Sequence, residues 1–192
     1  MTWNFSFFIN SVLLGFGLAM DAFSVSIVNG IKEPKMPAHR TLGIALVFAF
    51  FQAFMPMIGW VCTHQFIQYF VKIQKWLPIL SFLLLSFIGG KMVKEAPRAN
   101  LVELEVQSLT KYEIFIQGIA TSIDALSVGF VISSYNFSMA LLCSGIIAAV
   151  TFPICVFGIW LGKKAGQKLP EKANRFGGIL LILIGIEILL KK

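Results

Sequence analysis

Six stretches of this chain stay apolar for about 17 to 25 residues, the length an α-helix needs to cross a hydrocarbon core. They are Phe5–Asn29, Thr41–His64, Trp76–Lys94, Tyr112–Ser134, Met139–Gly162 and a last run from about Pro170 to Leu190. No water reaches the backbone inside a bilayer, so each run must close its own hydrogen bonds as a helix. The expectation is an all-α integral membrane protein with six transmembrane helices. A content of 57% hydrophobic residues, 19 Phe and only 13% charge agrees, because no soluble surface is built that way. Lys91, Arg175 and Glu187 interrupt the third and sixth runs, and such long side chains reach the interface from near a helix end. Pro170 suits the first turn of the sixth helix, where its missing N–H is not needed. Trp3, Trp60, Trp76, Trp160, Tyr69 and Tyr112 lie toward run ends, as an interfacial aromatic belt requires.

The net charge of +7 does not describe a nucleic-acid surface, because the basic residues are confined to short loops between the runs. Lys32, Lys35 and Arg40 follow the first run, Lys91, Lys94, Arg98 and Lys111 the third, and Lys163, Lys164, Lys168, Lys172 and Arg175 the fifth. Only Lys72, Lys75, Lys191 and Lys192 fall on the other side, a split of twelve against four. By the positive-inside rule both termini are expected outside the cytoplasm. The N-terminus has no basic n-region and no small-residue cleavage site, so the first helix is expected to remain as an anchor. Cys62, Cys143 and Cys155 have no CxxC spacing and read as small apolar packing residues. His39 and His64 have no partner at ligand spacing and read as interfacial.

The stretch Leu18–Ile27, "LAMDAFSVSI", returns 103 residues later as "TSIDALSVGF", Thr121–Phe130. Superposing Asp21 on Asp124 also places Gly15 on Gly118, Ala22 on Ala125, Ser24 on Ser127 and Val25 on Val128. The following runs share a polar residue seven positions before a glycine, Gln52/Gly59 and Thr151/Gly158, with Pro56 and Pro153 between. "FIGGKMV" in the third run echoes "LIGIEIL" in the sixth. Three helices per copy is an odd number, so the copies would cross the membrane in opposite senses, as an inverted repeat. The chain is expected to be one transporter domain: repeat one over 1–94, a cytoplasmic linker over 95–111 and repeat two over 112–192.

An aspartate in the same apolar setting twice is costly unless the two act together. Carboxylates facing each other at mid-depth repel, and both stay ionised only with a cation between them; otherwise a proton must bind. Residues three apart share a helix face, which puts Ser24 beside Asp21, and Thr121 and Ser127 beside Asp124. Gln52 and Thr151 occupy matched positions beside prolines that free backbone carbonyls. Such oxygen donors suit a hard or borderline ion such as Mn, Mg or Ca, and a thioether from Met20 or Met55 would favour Mn over Mg. The plainer reading of each polar residue is helix glue, a hydrogen bond to a neighbouring helix, and of Gly89–Gly90 and Gly177–Gly178 close helix packing. Recurrence in an inverted copy sets the aspartates apart from that reading.

"GLAMDAFSVSI", "FFQAFMPMIGW", "FIGGKMV", "GIATSIDALSVGF" and "RFGGILLILIGIEIL" resemble, in that order and over nearly the whole chain, the MntP-type manganese efflux pumps of bacteria. The resemblance implies a multi-pass exporter of Mn(II) in the bacterial plasma membrane, related to the lysine-exporter superfamily. Asp21 and Asp124 match the motif aspartates. Gln52 stands where some members carry glutamate, Lys91 where many have arginine, and the central linker is less acidic than in some relatives.

The function expected is secondary export of Mn(II), in exchange for protons, with the metal as substrate and no cofactor. No GxxxxGK[ST] motif is present to couple ATP. Export of another divalent cation or of a small amino acid on the same fold is the alternative. A small amino acid would want a cationic partner for its carboxylate, and no Lys or Arg lies at mid-depth. An intramembrane aspartyl protease also uses two membrane aspartates, but its YD and GxGD sequences are absent, so an enzyme is not expected. The expected partners are the metal ion, protons and the lipid bilayer, with a homo-oligomer left open.

Overall fold

A computed structural model of the chain describes residues 5–74, 76–95 and 109–168, with 179, 182–184, 186 and 190 of the last apolar run. Among the described residues there is no strand. The helices are α1 (Phe5–Lys32), α2 (Ala38–Gln74), α3 (Leu77–Glu95), α4 (Lys111–Val131) and α5 (Phe137–Lys168), with a 3-10 turn at Ile132–Ser134 after α4. Among the described residues four segments are long and apolar enough to cross a membrane: Phe5–Lys32, Ala38–His64, Lys111–Ser134 and Phe137–Ala165. These are the first, second, fourth and fifth runs of the sequence. α3 covers the third run but is not among the four, and the sixth run lies mostly outside the described residues.

Local chemistry sets the helix limits. α4 starts with a capping box, in which Thr110 Oγ accepts the Glu113 N–H at 3.2 Å and the Glu113 carboxylate accepts the Thr110 N–H at 3.1 Å. α1 stops just before Glu33-Pro34, since proline cannot continue a helix. Pro78 falls in the first turn of α3, where no N–H is needed. α2 runs on past the apolar stretch, because nothing between His64 and Gln74 breaks a helix once it has left the hydrocarbon.

The distribution of polarity is that of a lipid-facing bundle. Phe16, Phe50, Phe87, Phe115, Phe157 and Trp160 are exposed, while Asn29, Gln52, Gln117, Thr121, Ser122, Ser144 and Thr151 are buried. An apolar coat of this extent is stable in contact with acyl chains and not with water.

Packing is crosswise. α1 lies along α5 and α2 along α4, and α2 also meets α5. The contacts pair up under the repeat, in which α4 follows α1 by 103 residues and α5 follows α2 by 99. Gly158 of α5 sits on Phe23 of α1, where an added Cβ would stand 2.9 Å from the Phe23 carbonyl oxygen. Gly59 of α2 sits likewise on the carbonyl of Leu126 in α4, the residue that Phe23 maps to. Gly15 faces Val150, and its counterpart Gly118 faces Phe51. Glycine is needed where backbones come this close: Gly59 meets Gly129, and Gly30 meets Gly162.

The ends of α1 and α5 and the starts of α2 and α4 share one end of the bundle, the end carrying the basic loops. Lys32 pairs with Glu113 at 3.3 Å, and Arg40 pairs with Glu33 at 3.3 Å while also donating to the Leu109 carbonyl. Lys163 Nζ donates to the Met36 carbonyl at 2.8 Å and to Thr41 Oγ1 at 2.7 Å. The chain leaves this end along α2 and is back at it by Leu109, so the stretch containing α3 makes the return. At the opposite end Trp60 donates its indole N–H to the Tyr135 carbonyl at 3.0 Å, and the Tyr135 ring packs on Phe7.

Candidate functional site

The apolar core is interrupted at one level. One cluster, toward the basic end, is built on Ala22, Val25 and Val28 of α1, Ile44 and Phe48 of α2, Ala120 of α4, and Cys155 and Ile159 of α5. The other is built on Phe7 and Leu18 of α1, Ala125, Val128 and Ile132 of α4 with the turn after it, and Met139, Cys143 and Ile147 of α5, with Met55 and Trp60 of α2 against it. The break falls after Leu18 in α1, after Phe48 in α2, after Ala120 in α4 and after Ile147 in α5. Asp21, Gln52, Thr121, Asp124 and Thr151 all lie in it. Four helices thus contribute polar side chains to a single layer between two apolar ones.

The helix register puts the two aspartates at one height. α1 and α4 run antiparallel, with Asn29 Nδ2 donating to Gln117 Oε1 at 2.8 Å and Lys32 paired to Glu113 a turn further on. Asp21 stands eight residues back from Asn29, and Asp124 seven on from Gln117. At 1.5 Å per residue these are about 12 Å and about 10.5 Å, so both carboxylates lie at about the same distance from the basic end. Asp21 is half-buried and Asp124 exposed, its Oδ1 accepting the Ala125 N–H at 2.9 Å.

The other donors differ in how they are held. Gln52 is fully buried; its Nε2 donates to the Leu18 carbonyl at 2.6 Å, which fixes α2 against α1 less than a turn from Asp21. Its Oε1 is buried and, among the described residues, accepts no hydrogen bond. Pro56 has no N–H to offer the Gln52 main-chain carbonyl, so this residue presents two oxygens without their usual donors. Thr121 donates to the Gln117 carbonyl at 2.9 Å, and Thr151 to the Ile147 carbonyl at 2.9 Å; both are buried. Ser24 donates to the Met20 carbonyl at 3.0 Å and, like Ser127, is half-buried one turn from its aspartate. Met20 is 63% exposed. Among the described residues no three His, Cys, Asp or Glu side chains come together as a metal-ligand group.

Asn29, Gln117, Lys32 and Glu113 have no place in the sequence reading of the site. Their signal is helical spacing: Gln117 and Glu113 lie on the Asp124 face of α4, seven and eleven residues before it, and Asn29 lies on the Asp21 face of α1.

The family model described as "Putative manganese efflux pump" matches residues 35–189. A protein of Clostridium perfringens named "Putative manganese efflux pump MntP" is 39% identical, over 94% of this chain and 92% of its own length. A Clostridium botulinum protein named "Putative manganese efflux pump MntP 2" is 37% identical, over 95% and 94%. One from Gloeothece citriformis, named as the first, is 38% identical over 95% of each chain. No solved structure matches. Over nearly its whole length, therefore, the chain belongs to the manganese efflux pump family.

Proposed function

We propose that this protein exports Mn(II) from the cytoplasm in exchange for protons, binding the ion in the layer that holds Asp21 and Asp124. The observation that carries this reading is the break in the apolar core, where four helices place Asp21, Gln52, Thr121, Asp124 and Thr151 at one level. A layer of carboxylate, amide and hydroxyl oxygens midway along the spans replaces water around a divalent ion. Ser24 and Ser127 stand one turn away on the same helices, within reach of rearrangement, and Met20 would join only if α1 turned. The relatives' names supply the identity of the ion.

The mechanism is alternating access by two inverted halves, each of three helices, which together make a six-helix transporter. The crosswise contacts support it, since Gly158 on Phe23 and Gly59 on Leu126 exchange when α1 is mapped on α4 by 103 residues and α2 on α5 by 99, as do Gly15 on Val150 and Gly118 on Phe51. The basic end is cytoplasmic in this reading and both termini are outside. When the metal leaves, repulsion between carboxylates in a poorly solvated layer favours uptake of a proton. A proton and a metal that exclude one another meet the condition for exchange.

Asp21→Asn and Asp124→Asn keep size and hydrogen bonding while removing charge. Each variant should accumulate in the membrane at the parent level and lose protection of cells against excess Mn(II). Protection retained by either variant would remove the carboxylates from the transport site. Poor accumulation, with activity in what survives, would instead give them the helix-glue role.

A further inference from the structure

α1 and α4 are in polar contact on one side of the aspartate layer, and on the other they line a cavity. Toward the basic end they are joined by Asn29–Gln117 at 2.8 Å and by Lys32–Glu113, whose side chains are 3% and 7% exposed. Toward the opposite end a cavity of about 470 Å³ lies between them. The offset that superposes Asp21 on Asp124 carries Asn29 to Ile132, Lys32 to Tyr135, Gln117 to Leu14 and Glu113 to Asn10. All four of these counterparts line the cavity. The same pair of helix segments is thus joined by polar contacts in one half of the repeat and lines a cavity in the other.

We infer that Asn29–Gln117 and Lys32–Glu113 form the gate between the basic end and the aspartate layer, and that it opens as Leu14 and Ile132 close the cavity on the far side. The inference rests on the transport reading above and adds residues to its path. Two features mark the polar contact as a moving part. Among the described residues Asn29 Oδ1 and Gln117 Nε2 are buried with no hydrogen-bond partner, so the amide pair is only half satisfied where it stands. Exchanging O and N on both amides leaves the same deficit. The counterpart positions, Leu14 and Ile132, are apolar and can meet without any polar group to satisfy. Closing one contact while opening the other is the motion that rigid halves of an inverted repeat allow.

Purified protein in vesicles with Mn(II) alone as the probe tests both parts. In an Asn29→Cys/Gln117→Cys double variant, transport by the reduced protein sets the reference. Oxidation to the disulfide should lower uptake at least tenfold, and reductant should restore it. The parent chain, which carries Cys62, Cys143 and Cys155, is oxidised in parallel as the control. In Leu14→Cys/Ile132→Cys, cross-linking should be slow at rest and accelerate several-fold when a Mn(II) gradient drives turnover. Should either double variant fail to fold, the single variant Asn10→Cys at an exposed position serves instead, and its labelling by an impermeant maleimide should slow several-fold during turnover. Full uptake by the locked Asn29/Gln117 pair, or cross-linking and labelling indifferent to turnover, would overturn the gate. A parent chain that moves no Mn(II) would sink the transport reading itself, and is told apart because it needs no introduced cysteine.

Discussion

Lys32 and Glu113 are buried together near a membrane interface, and each is tolerable there only because the other is present. Taking one away leaves an uncompensated charge, which typically costs about 3–5 kcal/mol, whereas replacing both with apolar groups of similar size is often neutral. Glu113→Ala should therefore lower the melting temperature of the purified protein steeply, more so because the same carboxylate caps α4 through Thr110. Lys32→Met/Glu113→Leu should recover most of that loss. Arg40→Ala should cost less than either single change, since the Arg40 side chain keeps 30% exposure and water can replace it. If the double variant melts as low as Glu113→Ala, the cap and not the buried charge dominates. At this scale the sequence was partly legible. Asp21 and Asp124 stand out because a carboxylate recurs in an apolar setting, and Gln52 because it precedes a proline. Asn29 and Gln117 do not stand out, because their partnership spans 88 residues and depends on how α1 meets α4.

The helices themselves follow closely from apolar length, since a bilayer leaves the backbone no other way to pair its polar groups. Their ends do not, because α1 continues to Lys32 and α2 to Gln74, beyond the length that a membrane span requires. Which glycines matter is also a matter of packing. The sequence offers Gly43 and Gly59 on the same helix without distinguishing them. Among the described residues an added Cβ at Gly43 meets nothing within 4 Å, while at Gly59 it would collide with the Leu126 carbonyl of α4. Gly43→Ala should leave the elution profile and melting temperature of detergent-solubilised protein unchanged or raise the latter slightly, as expected from helix propensity. Gly59→Ala must push α2 away from α4 and should reduce folded yield severely, with Gly158→Ala doing the same between α5 and α1. A sharp, parent-like elution peak for Gly59→Ala would mean that α2 and α4 are not as closely apposed as this.

For the whole molecule the decisive question is which way the two ends face, because that fixes the direction of transport. The twelve-to-four division of basic residues and their concentration at the Lys32, Glu113 and Lys163 end motivate the cytoplasmic placement of that end. A reporter fused after Lys192 should then be active only outside the cytoplasm, and activity inside would exchange the two faces of the pathway. With the orientation set, proton exchange has a definite sign. Inverted vesicles present the cytoplasmic end to the bath, so Mn(II) in the bath should move inward, down a route that returns protons from the lumen. An acid lumen should accelerate uptake, and protons should appear in the bath as metal enters. Asp21→Asn should abolish both fluxes together, because in this mechanism one carboxylate pair carries each in turn. With the membrane voltage clamped, metal uptake that is the same with and without the pH gradient would leave Asp21 and Asp124 as a binding site alone and make the protein a uniporter or an exchanger for another ion.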